Sequence, residues 1–131
     1  MFEATTHNIK IVAQPTYLDL QSYPEESHYV WAYTINIENL GERTVTLLRR
    51  YWKITDGGGQ VQEVEGDGVV GEQPTLEPSM VFQYTSGVVL TTASGIMTGI
   101  YEFADVISGD VIKVEIPTFS LDTPEATARA N

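Results

Sequence analysis

The sequence contains no cysteine, only two histidines, and seven basic residues against eighteen acidic ones. The lack of cysteine excludes disulfide bonds, thiol nucleophiles and thiolate zinc sites. The net charge of -11 argues against nucleic acid as a partner, because phosphate backbones are bound through clustered lysine and arginine. No apolar run reaches the roughly 18 residues of a membrane span, and the first residues do not resemble a signal peptide. We therefore expect a cytoplasmic protein without membrane insertion.

The residues that are present suffice for one folded domain. Of the 131 residues, 42% are hydrophobic and 10% aromatic, which distinguishes the chain from a disordered segment. The length suits one domain, since domains cluster around 100 to 150 residues. We expect a single domain over residues 1–124 and a small, polar C-terminal tail over residues 125–131 that frays.

Apolar and polar residues alternate along most of the chain, which is typical of β-strands. The clearest case is Tyr29 to Glu38, where every odd position is large and apolar. In the segment 44–54, even positions place Leu48, Trp52 and Ile54 toward the core. A hairpin turn is expected at Asp56–Gly59. Further strands are expected at 9–13, 60–65, 81–84, 97–103 and 112–116.

About seven short strands separated by turn residues predict an all-β fold. The chain has the size of an immunoglobulin-like or fibronectin type III-like β-sandwich, and Trp31 and Trp52 would fill its centre. A partly open barrel is the alternative, because alternation does not say whether the sheets close.

Four segments carry a family resemblance. They are Leu47–Asp56, Glu63–Pro74, Phe82–Gly87 and Gly95–Tyr101. Through them the sequence resembles the ApaG family, also known as CorD or DUF525. The resemblance implies a fibronectin type III-like sandwich and a link to cobalt and magnesium efflux or resistance. It also implies a domain that serves as a protein-interaction module in larger eukaryotic proteins.

A glycine-rich loop fits the G-x-G-x-x-G pattern, which binds phosphate where a helix begins directly after it. Pro74 and Pro78 oppose such a helix, and the nearby carboxylates repel phosphate at short range. We interpret the segment as a loop that requires glycine, and phosphate binding is the alternative. The candidate residues of this loop are Gly66, Asp67, Gly68, Gly71 and Glu72.

Three acidic residues, Glu63, Glu65 and Asp67, follow one another at a spacing of two. On a regular strand their carboxylates share one face and could hold a hard cation such as magnesium. Solvated surface that discourages edge pairing is the ordinary interpretation, so no metal site is assigned. His7 and His28 lie outside any tight ligand spacing.

Four of the seven basic residues lie within eleven positions, beginning at Arg43. Strand parity places Arg49, Tyr51 and Lys53 on the outer face, where they could recognise an acidic partner or an anion. Surface charge balance is the alternative. Arg50 has the parity of the core, so either a β-bulge re-aims it or it pairs with a partly buried carboxylate.

No catalytic constellation is evident, since Ser86 lacks the Gly-x-Ser-x-Gly context of a nucleophile and the histidines are poorly placed. We therefore expect a non-enzymatic module that binds a protein partner, needs no cofactor, and is a monomer or weak homodimer. One alternative is a sensor of a divalent cation or of a nucleotide or pyrophosphate through the glycine-rich loop. An enzyme acting on nucleoside polyphosphates is the third interpretation.

Overall fold

The alternation of apolar and polar residues produces a structure that consists almost entirely of β-strands. The computed structural model describes residues 1–126. The tail that we expect to fray, residues 125–131, lies mostly outside the described residues. Residues 1–126 form nine strands: β1 (Phe2–Thr6), β2 (Ile9–Tyr17), β3 (Tyr29–Asn39), β4 (Val45–Asp56), β5 (Val61–Asp67), β6 (Thr75–Leu76), β7 (Val81–Leu90), β8 (Ser94–Asp105) and β9 (Val111–Asp122). Two short 3-10 turns, Asp19–Gln21 and Pro24–Glu26, connect β2 to β3.

The strands form two antiparallel sheets. The first sheet has the order β1-β2-β3-β7, and the second has the order β5-β4-β8-β9, with β6 also paired to β4. On one side β1 and β9 close the sandwich, where the rings of Phe2 and Phe119 lie 6.1 Å apart and the Glu115 amide donates to the Thr6 hydroxyl. The other side carries the two edge strands β5 and β7. The prediction of an all-β sandwich is confirmed.

Aromatic side chains from both sheets form the centre of the core. Trp31 and Trp52 are both buried, as predicted. The Trp52 ring lies 5.2 Å from Tyr33 of the opposite sheet and 5.9 Å from Phe119. Trp31 packs at 5.1 Å against Tyr17, and its buried indole N–H finds no hydrogen-bond acceptor within residues 1–126.

The structure adds two strands to the predicted seven. β1 returns through a turn at His7 and Asn8, whose positive φ values of 49° and 62° tighten the hairpin. β6 has only two residues, too few for an alternation to be visible. Glycine does not interrupt β5, which continues through Gly66.

The predicted inward face of β4 is wrong at Leu48. Leu47 is fully buried instead, whereas Leu48 is half-buried. The pairing of β4 with β8 shifts register between Leu47 and Arg49, so a bulge reverses the alternation there. Trp52 and Ile54, beyond the bulge, face the core as predicted. Within residues 1–126 no helix is long and apolar enough to cross a membrane.

Candidate functional site

The glycine-rich loop is an excursion from an edge of the second sheet. β5 and β6 both pair with β4, so the segment 68–74 leaves the edge between them and returns to it. The carbonyl of Leu48, at the bulge, accepts from the Gly68 amide at 2.8 Å and from Gln73 Nε2 at 3.0 Å. The Leu47 amide donates to the Pro74 carbonyl at 2.9 Å. Both ends of the loop are thus anchored at the bulge.

The tip of the loop is a tight two-residue turn. Val69 and Glu72 exchange backbone hydrogen bonds of 2.8 and 2.9 Å. Between them Val70 and Gly71 both have positive φ, 45° and 80°, which is the pattern of a type I′ turn. Val69 is completely buried and joins the core, whereas Val70 is 53% exposed. The turn therefore holds one valine inside the protein and presents the next to solvent.

Two glycines of the motif have roles inside the protein. A Cβ at Gly68 would lie 2.1 Å from the Glu72 carbonyl oxygen, and its φ is +62°. A Cβ at Gly66 would lie 2.7 Å from the guanidinium of Arg50. Pro74 leads into β6 rather than into a helix. The helix N-terminus that gives this motif its affinity for phosphate is therefore missing from the loop.

Arg50 holds the loop against the sheet. Its Nη1 donates to the carbonyls of Asp67 and Gly68, at 3.0 Å each. It forms no ion pair with a carboxylate within residues 1–126. Neither explanation offered for its inward parity holds. The register shift of β4 lies before Arg49, so Arg50 keeps the inward parity of Trp52, and its half-buried side chain donates to loop carbonyls instead of pairing with a carboxylate.

Three tyrosines lie near Arg50 between the two sheets. Tyr84 and Tyr101 share a short hydrogen bond between their hydroxyls. Burial raises the pKa of Tyr33, Tyr84 and Tyr101, and the charge of Arg50 opposes that effect without cancelling it. All three hydroxyls are therefore neutral at physiological pH. We did not predict this pair; the available signal was a tyrosine at an inward position of β8, whose hydroxyl needs a partner once buried.

The basic side chains of β4 lie on the outer face of the second sheet, next to acidic side chains of the neighbouring strands β5 and β8. Arg49 lies 3.8 Å from Glu102 of β8 and 4.0 Å from Glu65 of β5. The Tyr51 hydroxyl donates to Glu63 at 2.7 Å, a bond that raises the Tyr51 pKa. Lys53 pairs in register with Glu63. The candidate anion patch and the candidate metal residues thus form one surface of mixed charge, because β5 runs antiparallel beside β4.

The acidic side chains do not gather into a metal site. Glu63, Glu65 and Asp67 share one face, but register places them beside Lys53, Tyr51 and Arg49. Throughout residues 1–126, no three histidine, aspartate or glutamate side chains come together in a way that could hold a metal ion.

The fourth base of the sequence cluster, Arg43, lies apart from the others. It borders a groove of about 550 Å³ formed by the turns at one end of the sandwich. Its guanidinium donates to Asp105 at 3.1 Å, and Asp105 also accepts from the amides of Ile107 and Ser108. These two amide bonds and the Arg43 charge lower the Asp105 pKa. The polar groups of the groove therefore stabilise its own turns.

The chain is similar in sequence and in structure to several known proteins. A sequence profile described as the ApaG domain, DUF525, matches residues 19–105. The protein ApaG of Paramagnetospirillum magneticum is 53% identical over the full length of both chains, and that of Parvibaculum lavamentivorans is 54% identical over 96% of each. The crystal structure of a Bordetella pertussis protein described as ApaA is 41% identical, covers 92% of this chain and 97% of its own, and superposes with a TM-score of 0.87. The chain belongs to the ApaG domain family.

Proposed function

We propose that the protein is a non-enzymatic interaction module whose loop tip contacts a protein partner. The observation that carries the proposal is Val70, an exposed, β-branched residue in the left-handed region of backbone conformation. A β-branched residue with positive φ is a true outlier, and such strain costs on the order of 1–3 kcal/mol. The exposed side chain gains too little burial within the chain to offset that cost. A contact outside the chain accounts for it.

The surroundings of Val70 indicate the chemistry of the partner. Asp67 and Glu72, at the two ends of the loop tip, and Glu65 on β5 are all exposed. An apolar recess that receives Val70 and carries basic residues on its rim would complement this surface. The net charge of -11 would speed the approach of such a partner.

The buried tyrosines are neutral, and the two histidines lie beyond opposite ends of the β2–β3 ladder, so both features favour binding over catalysis. We propose that the module acts in the cytoplasm as a monomer or weak homodimer. We further propose that its partner belongs to cobalt and magnesium efflux or resistance, the link implied by the family resemblance.

Replacing Val70 with asparagine should separate stability from binding. Asparagine tolerates the left-handed conformation, so we expect the free energy of unfolding to rise by about 1 kcal/mol. Urea unfolding of both proteins measures this change. Val106→Asn is the matched control, since Val106 is 56% exposed in another turn and has no positive φ. An unchanged or lower stability for Val70→Asn would show that Val70 is not strained.

The binding part of the proposal is tested by photo-crosslinking in cells. A benzophenone amino acid at position 70 should give a discrete adduct, and the same group at position 106 should give none. Mass spectrometry of the adduct identifies the partner and decides whether it handles divalent cations. If the protein is expressed at its native level and position 70 gives no adduct, the contact at the loop tip is refuted.

One observation favours the sensor as a second candidate. Arg50 has no carboxylate partner among the described residues, and only its Nη1 is occupied by the two carbonyls. Its remaining N–H groups could bind pyrophosphate or a nucleotide phosphate. The structure gives no comparable support for a divalent-cation sensor, because its carboxylates do not converge within residues 1–126.

Amide-resolved NMR titration with pyrophosphate tests this candidate. Saturable shifts at Arg50 and at residues 66–72, abolished by Arg50→Gln, would support it. Silence at millimolar pyrophosphate would remove it. Magnesium chloride added alone serves as the control for ionic strength.

A further inference from the structure

The outer edge of β7 is an unprotected strand edge. β7 pairs with β3 over ten residues, from Val81 opposite Glu38 to Leu90 opposite Tyr29, without a register shift. Apart from this ladder, no backbone group of β7 forms a hydrogen bond to any residue of 1–126. Because a ladder uses backbone groups on one side of a strand only, every second residue of β7 points its N–H and C=O to solvent.

The sequence of β7 lacks the features that normally protect an edge. It contains no proline and no charged residue, and it is the only strand longer than two residues, among those described, without a charge. Natural edge strands are commonly blunted by lysine, proline, bulges or covering segments. Val81 and Val89 on β7 are instead 55% and 49% exposed.

The other three edges of the sandwich are protected. β1 and β9 cover each other, through the Phe2–Phe119 contact and the hydrogen bond from Glu115 to Thr6. β5 carries three carboxylates within seven residues and ends at Asp67, where the chain turns at Gly68. The lack of protection is therefore specific to β7.

We propose that β7 binds an extended segment of a partner protein, which adds to the first sheet as a fifth strand. Backbone hydrogen bonds would supply the affinity, as in other cases of strand addition. The segment would carry apolar or β-branched residues at alternate positions, because Val81 and Val89 flank it on the outer face and the half-buried Phe82 and Val88 on the inner face. This surface consists of other residues than the loop tip, so either proposal can fail alone.

Charge selects the occupant. A second copy of this chain would bring two bodies of charge -11 together, whereas a neutral or basic segment meets no such repulsion. Acidic segments are disfavoured for the same reason. The expected ligand is therefore a basic or neutral extended peptide and not another β7.

The test uses a synthetic peptide of alternating valine and threonine with two lysines at each end. Amide hydrogen exchange of the full chain should slow at least tenfold at the outward amides of β7 when the peptide is added. A peptide with alternate backbone nitrogens methylated should give no protection, because it lacks the donors on one edge. Absence of protection with the unmethylated peptide at millimolar concentration would overturn the proposal.

Variants locate the effect. Val81→Lys should abolish the protection, since an exposed lysine blunts an edge strand. Val111→Lys is the control, because Val111 is equally exposed, 55%, on β9. Equal protection in both variants would contradict binding at β7. Protection that depends on protein concentration and accompanies a doubling of mass in sedimentation would overturn the peptide as occupant and assign the edge to a second copy.

Discussion

Replacing Gly68 with alanine should destabilise the fold by about 3 kcal/mol, through a left-handed conformation and a steric clash together. Its φ is +62°, and a Cβ there would lie 2.1 Å from the carbonyl oxygen of Glu72. That oxygen belongs to the backbone and accepts the hydrogen bond from Val69, so it has little freedom to move. Relief of the clash would break the turn and withdraw Val69 from the core.

Gly71 provides a matched control in the same loop. Its φ is +80°, but no atom lies within 4 Å of its potential Cβ. Gly71→Ala should therefore lose only about 1 kcal/mol, the conformational part alone. Urea unfolding followed by circular dichroism measures both variants. Similar losses in the two would show that the Gly68 clash is relieved cheaply, and the loop would then be less rigid than the structure indicates.

The glycine-rich loop marks the limit of what sequence patterns indicate. The pattern identified a segment that requires glycine, and two prolines excluded the helix that a phosphate site needs. It could not distinguish a glycine required by the protein's own backbone, as at Gly68, from one required by a ligand. That distinction depends on where the Glu72 carbonyl lies, which is fixed only when the segment closes its turn.

Strand alternation predicted the sandwich because each buried face repeats with a period of two. It placed Trp31 and Trp52 in the core correctly, and it failed at Leu48 because the bulge there gives the first residues of β4 the opposite parity to Trp52. Arg50 has the same inward parity as Trp52, and its guanidinium is satisfied by the carbonyls of Asp67 and Gly68 rather than by a carboxylate. Strand parity does not indicate a backbone partner of this kind, because the loop that supplies it is placed only by the fold.

The mixed charge of the surface formed by β4 and β5 could also not be predicted without knowledge of the fold. Along the chain, the bases of β4 and the acids of β5 are separate clusters, which invites separate anion and cation sites. Antiparallel pairing places Lys53 beside Glu63 and Arg49 beside Asp67. Since neighbouring opposite charges reduce each other's field, the surface suits recognition of a protein better than capture of a small ion.

Replacing Trp52 with alanine should lower the free energy of unfolding by roughly 3–5 kcal/mol, the range for removal of a buried tryptophan ring. That loss is a large share of the ~5–15 kcal/mol by which a typical domain is stable. Trp52 contacts Tyr33 across the sheets and Tyr101 and Phe119 within its own. Gly99 lies opposite it in register, and a Cβ there would be 3.1 Å from Trp52 Cε3. The absent side chain on β8 thus makes room for the ring, and alanine would leave a cavity.

Trp31→Ala is the matched comparison, and we expect it to lower the free energy of unfolding less than Trp52→Ala does. Trp31 is as buried as Trp52, but its indole N–H has no acceptor among the described residues, and burying such a donor costs about 1–3 kcal/mol. Its removal relieves that cost, so Trp31→Ala should destabilise less than Trp52→Ala. Urea unfolding by far-ultraviolet circular dichroism avoids the loss of fluorescence in either variant. If the Trp31 variant were the less stable of the two, the central role would belong to Trp31 and the contact between the sheets at Tyr33 and Trp52 would be secondary.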